Sequence, residues 1–573
     1  MITAQSFWRP DRYGPGEIRT DLFWLLGLAL VMVGAGLGLR DPWPADEPRF
    51  AVIARDMVRT GQWLVPMVGG DLYQDKPPVF FWLIALTLKL TGSLRFAFLL
   101  PSLAATLGTL VLVYDLGRRL WNRETGLAAG MLLLLTIQFV WQGRQAQIDA
   151  TVCFWIALGL YGLLRHLLLG PAWGWYAAGW AASGLGVITK GVGFLPLLVL
   201  IPYAVARAPR WQPRPAHGGS WRWALGPLAF LAAVSVWLVP MLLLAATDPE
   251  VAAYRDEILF QQTVDRYATA WHHREPFWFF IVEVIPLLWL PLTALLPWTL
   301  PAWRNAIRQS DFRILLLLCW IVLVVLFFSM SAGKRGVYVL PAAPALALAT
   351  APWLISLSTR PGPRRVLFGL ACCMPGIALL AAVYLGWIAP EERATLLAEE
   401  GIDAVWPLAT IGVAGALACL WLRPQRAVLS FAGVLVAILL IVGFWINPAI
   451  NEERSGARFA RLLEARTTAI AELGLVAYKE QYLMQLRRPT WNFGHARWRE
   501  WEQEADDASA WLSASEHRGL LIDEFVRDRC FANAPAIEVE RANRKEWVVV
   551  TTGANPECVA RGRLDAALYY VPP

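Results

Sequence analysis

Charge is scarce in this chain of 573 residues. Only 17% are Asp, Glu, Lys or Arg and 57% are apolar, with a mean hydropathy of +0.45. Soluble domains carry about 25% charged residues, so a large soluble enzyme is excluded, as are a disordered chain and a collagen-like chain. Cysteine is also sparse, at seven residues, which excludes a small disulfide scaffold. Lysine is scarcer still: there are six, at 76, 89, 190, 334, 479 and 545, so arginine supplies 45 of the 51 basic residues. Many of these arginines stand in short loops between apolar runs, where they set orientation. The net charge of +7 is therefore a topological signal and no argument for a nucleic-acid partner. There is no internal repeat and no low-complexity tract.

What is present is a series of apolar runs: 21–39, 95–114, 126–142, 150–168, 174–189, 192–206, 223–245, 277–300, 314–331, 336–357, 366–388, 404–421 and 428–447. They predict a polytopic α-helical membrane protein with about 13 transmembrane helices. The pair 174–189 and 192–206 is short and also reads as one broken hairpin or a re-entrant pair, but both are kept as spans because dropping one would break the alternation of loop charge downstream. Placing the N-terminus in the cytoplasm puts arginines in every inside loop, among them Arg118, Arg119, Arg207, Arg304, Arg360 and Arg423. The loops 40–78 and 246–276 and the polar tail then lie outside. The first run ends in GAGLGLRDPWPADEP without a small-x-small cleavage site, so it reads as a retained anchor.

Two domains follow: a membrane domain over 1–447 and a soluble α/β domain over 448–573. In the tail, 458–474 and 498–514 read as helices, and LVAY (475–478), 518–526, 546–551 and 567–571 as strands. Cys530 and Cys558 fall there, on the exported side, where a disulfide is chemically permitted; the sequence leaves their pairing open. No motif in the tail points to a catalytic site of its own, and a simple lid over the membrane domain explains it equally well.

The chemistry gathers at one end of the spans. The first outside loop carries Asp46, Glu47 and Arg49, then Tyr73, Asp75 and Lys76. Between them, residues 50–61 are spaced as an amphipathic helix lying in the interface. Asp149 opens the fourth span, Lys190 lies in a turn, His272, His273 and Arg274 in the fourth outside loop, and Lys334, Arg335 and Tyr338 in the fifth. Half of the lysines, Lys76, Lys190 and Lys334, thus sit at outer membrane ends, on the side that the charge rule disfavours. Ionisable residues near membrane depth are costly and usually functional. The set suits a phosphorylated lipid headgroup. Interfacial snorkelling is the plainer reading, and the preferred one for Lys89 and Arg95.

The segments DEPRFAVIARDMVRTG, YQDKPP, QAQIDA, GLGVITKG, HHREPFW and FFSMSAGKRGVYVLPAAPALAL resemble the aminoarabinose-transferase and protein-mannosyltransferase-like group. These are bacterial inner-membrane glycosyltransferases of the GT-C fold that take sugar from a polyprenyl (undecaprenyl) phosphate donor. The resemblance covers residues 20–345. It implies a catalytic role for Asp46, with Glu47 beside it, and a second cavity acid at Asp149. Lys76 would hold the donor phosphate, with Arg274, Lys190, Lys334, Arg335, Tyr338, Arg49 and Tyr73 as further candidates. It also implies a divalent metal ion near Asp75, His273 and His272, although Asp75 stands where the family has a glutamate. No organic cofactor is implied. The expected acceptor is a lipid A-like glycolipid, with protein or another glycan as alternatives, and the residues do not distinguish the sugar. A lipid-linked sugar transporter is the main rival, but it would want polar groups on both sides. A phosphatase of the same lipid would use the same cations.

Overall fold

The computed structural model describes residues 15–206, 220–259, 275–495 and 497–572. His272, His273 and Arg274 lie outside the described residues. Among the described residues, eight helices are long and apolar enough to cross a membrane, or ten if each of two bent pairs counts as one span. The run expected over 126–142 is one such pair, Arg123–Leu134 and Ile137–Gly143, bent by 70°. The run expected over 277–300 is the other, Phe280–Leu288 and Thr293–Arg308, bent by 99°. A thirteen-residue apolar helix, Val79–Thr91, stands outside the expected set.

The helices Ile148–Leu169 and Trp173–Lys190 form a tight antiparallel hairpin. After Lys190 the chain turns at Gly191 (φ 74°) into a 3-10 segment, Val192–Val199. The turn is sharp because two glycines let backbone touch backbone: a Cβ on Gly193 would lie 2.1 Å from the carbonyl carbon of Gly186. The runs 174–189 and 192–206 are thus two helical segments, Trp173–Lys190 and Val192–Val205, joined by a sharp turn.

The helix Glu47–Thr60 fulfils the amphipathic pattern of 50–61 and stops at Gly61 in the left-handed conformation (φ 75°). Protein covers it on two sides. Phe50 packs on Phe80 and Phe81 of the following helix, with ring centroids 5.7 and 5.4 Å apart. On the other side Arg55 donates to the carbonyl of Leu483 at 3.1 Å and the hydroxyl of Tyr570 at 2.8 Å, both in the C-terminal domain. Residues 67–68 and 71–72 form a small hairpin, β1 (Met67–Val68) with β2 (Asp71–Leu72).

The C-terminal domain is a six-stranded mixed sheet in the order β6-β7-β5-β3-β4-β8. Its strands are β3 (Glu472–Leu475), β4 (Thr490–Asn492), β5 (Arg518–Asp523), β6 (Ala536–Ala542), β7 (Lys545–Val550) and β8 (Leu568–Tyr570). The central β4-β3-β5 trio is parallel and the outer pairings are antiparallel. Apolar side chains fill both faces: Leu473, Leu475 and Leu521 on one, Leu520, Ile522 and Val550 on the other. Burial on both faces gives continuous apolar runs instead of alternation. Three expectations shift: the helix expected over 458–474 ends at Arg466, the strand expected over 518–526 gives way to a helix at Glu524, and LVAY is not the strand. β3 ends at Leu475, and Ala477 (φ 48°) turns the chain so that Tyr478 leaves the sheet. Two strands are absent from the expected set, β4 and β6, and β6 pairs with β7 through Asn543 and Arg544, both at positive φ (52° and 64°). Cys530 and Cys558 are joined as a disulfide.

Candidate active site

A cavity of about 1970 Å³ lies between the helix ends and the C-terminal domain. The sequence-predicted residues Asp46, Arg49, Tyr73, Asp75, Lys76, Asp149, Lys190, Lys334, Arg335 and Tyr338 all line it. Residues from five separated segments thus converge on one space. Asp46 sits at the N-cap of the Glu47–Thr60 helix, with a guanidinium nitrogen of Arg335 3.7 Å from its carboxylate and Arg49 at 4.0 Å. Asp75 and Lys76 precede Pro77 and Pro78, which lead directly into the Val79–Thr91 helix and anchor the pair at its mouth.

Asp149 and Lys190 form an ion pair that joins the start of one helix to the end of its antiparallel neighbour. The acid is at a helix N-terminus and the base at a C-terminus, the arrangement that helix dipoles favour. The Lys190 ammonium also stands 4.9 Å from the centre of the Tyr338 ring. Lys334 is buried and donates to the carbonyl of Glu275 at 2.7 Å, while Arg335 is half exposed.

Glu47 is placed elsewhere. It is buried outside the cavity lining, bound by Arg40 (Nη2 to Oε1, 2.8 Å) and by the backbone N–H groups of Trp43 (3.0 Å) and Ala146 (2.9 Å). It stitches the loop to the start of the fourth expected span, which makes it an organising residue. Arg49 and Tyr73 reach the cavity, but the Arg49 guanidinium is committed to the Tyr73 ring and to Glu480. Lys89 stacks 5.1 Å from the Trp63 ring, and Arg95 pairs with Asp41 at 2.7 Å.

Sequence reasoning missed the C-terminal domain's share of the cavity. Tyr478, Glu480, His495, Glu504 and Asp523 line it. Glu480 accepts a 2.6 Å hydrogen bond from Nε of Arg49, and His495 stands beside it, Nδ1 3.7 Å from the same carboxylate oxygen. Burial pulls the His495 imidazole below its ordinary value, against the opposing pull of Glu480. The Tyr73 and His495 rings lie 5.5 Å apart. Asp71 joins this seam: its carboxylate accepts from the His495 backbone N–H at 2.8 Å, and Asn492 donates to the carbonyl of Gly69 at 2.8 Å. No motif marks these residues, because each is an ordinary polar residue in a polar domain.

Of the expected metal set only Asp75 falls within the described residues. Among those residues, one group brings three potential ligand atoms together: Asp506, Cys530 and Cys558. Both of its cysteines are spent in the disulfide, so it is no thiolate site.

A bundle whose helix ends collect acids and cations beneath a soluble α/β domain defines a membrane glycosyltransferase of the GT-C type, and the comparisons agree. Residues 75–239 match the family model for dolichyl-phosphate-mannose-protein mannosyltransferase. The undecaprenyl phosphate-alpha-4-amino-4-deoxy-L-arabinose arabinosyl transferase of Pseudomonas aeruginosa is 33% identical over 412 residues, 69% of this chain and 71% of that protein. The transferase 2 of the same name from Sodalis glossinidius is 32% identical over 387 residues, 65% of this chain and 67% of that protein. The crystal structure of ArnT from Cupriavidus metallidurans bound to undecaprenyl phosphate has the same fold, with a TM-score of 0.73 at 21% identity, covering 95% of this chain and all of that one. The chain belongs to the family of undecaprenyl phosphate-aminoarabinose arabinosyl transferases.

Proposed function

We propose that this protein moves a sugar from an undecaprenyl-phosphate-type donor to a lipid A-like glycolipid on the periplasmic face of the bacterial inner membrane. The observation that carries the reading is the convergence of Asp46, Lys76, Lys190, Arg335 and Tyr338 on one cavity at one end of the helices. The relatives, named as undecaprenyl phosphate-aminoarabinose transferases, support the donor class and the sugar. The arginine-rich loops support thirteen spans with a cytoplasmic N-terminus and a periplasmic C-terminal domain, and the disulfide fits an exported domain.

In this reaction the bond between C1 of the sugar and the phosphate oxygen breaks. The electron pair leaves on that oxygen, and a new C1–O bond forms to the acceptor. Lys76 and Arg335 face the negative charge that grows on the leaving phosphate, a contribution of several kcal/mol in a site with little water. Asp46 takes the proton where the acceptor is a hydroxyl. Where the acceptor is a phosphate oxygen, already ionised, Asp46 instead faces the positive charge that develops at C1. Donor and acceptor enter one cavity from different sides, so inversion at C1 is expected. The Asp149–Lys190 pair holds the far wall. The reading includes a divalent ion at Asp75 with His272 or His273, which would add charge at the leaving phosphate.

The family-model match favours a second reading, a protein or other glycan acceptor. Mass spectrometry of lipid A and envelope glycolipids separates the two, using cells lacking the gene rescued with wild type or Lys76→Ala. A pentose-sized increment that depends on Lys76 is the expected result. Unchanged glycolipids with accumulating polyprenyl-phosphate sugar would move the acceptor to protein or another glycan. No change in either pool would overturn the transferase reading.

A further inference from the structure

The C-terminal domain has a feature that its role as a cover does not explain. Its parallel strands β3, β4 and β5 all end at the cavity: Tyr478 follows β3, His495 follows β4, and Asp523 ends β5. From β3 the chain passes to β4 on one side and then to β5 on the other, so the strand order reverses at β3. In open α/β sheets the crevice outside the carboxyl ends at such a reversal is where ligands bind.

The crevice also holds polar atoms that the protein leaves unsatisfied. Glu504 is 1% exposed; its Oε1 accepts from the backbone N–H of Ala477 at 2.8 Å, while Oε2 has no hydrogen-bond partner. The Tyr478 hydroxyl, also buried, has none either. Orphaned buried polar groups in a native fold need an explanation, and shelter from water makes them costly. Trp501 and Phe525 stand on the same wall, Phe525 more than half exposed, next to the Asp523–Lys545 ion pair. Aromatic faces combined with a few fixed polar groups suit a hydroxylated ring.

We propose that this crevice binds a saccharide ring of the acceptor, with Trp501 and Phe525 against the ring face and Glu504 and Tyr478 hydrogen-bonding its hydroxyls. The assignment rests on the transferase reading above. The donor's single sugar is bonded directly to the phosphate and so stays at Lys76 and Asp46. The crevice lies on the other wall, in continuity with that site, where the second substrate must approach.

The test uses the full-length enzyme in detergent with the undecaprenyl-phosphate sugar donor and a lipid A acceptor. Glu504→Gln keeps an oxygen for Ala477 but replaces the unpartnered carboxyl oxygen, which can accept in either protonation state, by an NH2 group that can only donate. Tyr478→Phe removes a hydroxyl that no protein group uses, and Trp501→Ala removes the aromatic face. Each is expected to raise the acceptor KM about tenfold while leaving the donor KM within about twofold and the melting temperature no lower than wild type for the first two. Glu516→Gln, exposed on the same domain, serves as the control. Unchanged acceptor KM in Tyr478→Phe and Trp501→Ala, in an active enzyme, overturns the crevice assignment. If wild type itself transfers nothing, the transferase reading has failed. Saturation-transfer NMR with a β-1,6-linked glucosamine disaccharide then decides the crevice alone. A difference signal given by wild type and abolished by Trp501→Ala sustains it, and no signal with wild type overturns it.

Discussion

Glu480 of the C-terminal domain accepts a 2.6 Å hydrogen bond from Nε of Arg49, one helical turn after Asp46. The guanidinium also lies over the Tyr73 ring, 5.8 Å from its centre. Two segments more than 400 residues apart thus fix the helix that presents the catalytic candidate. The soluble domain completes the site instead of merely covering it.

Glu480→Ala is therefore expected to slow transfer by about 10- to 100-fold, because it releases Arg49 and lets Asp46 drift from its working position. The drop should appear in kcat more than in donor KM. Turnover measured on the folded, purified variant checks this; near-normal kcat would mean that the Arg49 clamp has no bearing on Asp46.

Asp46 and Glu47 are neighbours in sequence, yet the helix turns them to opposite duties. Asp46→Asn is expected to abolish transfer with the melting temperature unchanged. Glu47→Ala instead leaves the Arg40 guanidinium buried without its partner, which costs about 3–5 kcal/mol. Thermal melts and transfer assays run side by side separate the two. Equal loss of stability in both variants would contradict the assignment.

The cavity's membrane half was legible because ionisable residues at span ends stand out against an apolar background. Lys76, Lys190 and Lys334 are conspicuous in a chain with so few lysines. The same contrast fails in a polar domain, so Glu480, His495 and Glu504 carried no signal. Local pattern also misplaced β3: LVAY looks extended, but the left-handed turn at Ala477 is set by Glu504 from a helix 27 residues away. The pairing of Glu47 is hidden in the sequence because Arg40 looks like a loop cation until the chain folds. Asp71 reads as an idle loop acid until the hairpin meets His495.

The Cys530–Cys558 bond closes a 28-residue separation between the helix after β5 and the one before β8. Cys530→Ser is expected to lower the stability of the C-terminal domain by about 2–4 kcal/mol. A mobility shift on non-reducing gels, present in wild type and absent in the variant, reports the bond. Its formation only in exported protein would also fix the domain on the oxidising side of the membrane. A fully reduced wild-type protein from intact cells would contradict both statements.

Burial raises the Glu504 carboxyl from its ordinary value of 4.5 to about 7, with the Ala477 N–H and Arg497 pulling it down less strongly. The folded protein therefore holds a proton that the unfolded chain releases between about pH 4.5 and 7. Native binding of the extra proton makes stability fall as pH rises through that window. The full difference is about 3 kcal/mol above pH 7. Glu504→Gln cannot ionise and keeps the bond to Ala477, so it escapes this loss. His495, whose value is lowered, acts in the opposite sense as pH falls, but equally in both proteins. The melting-temperature advantage of Glu504→Gln over wild type should thus be small at pH 5 and grow steadily to pH 8. An advantage that stays flat across that range would show that Glu504 ionises as an ordinary surface acid, and that the crevice is wetter than its packing implies.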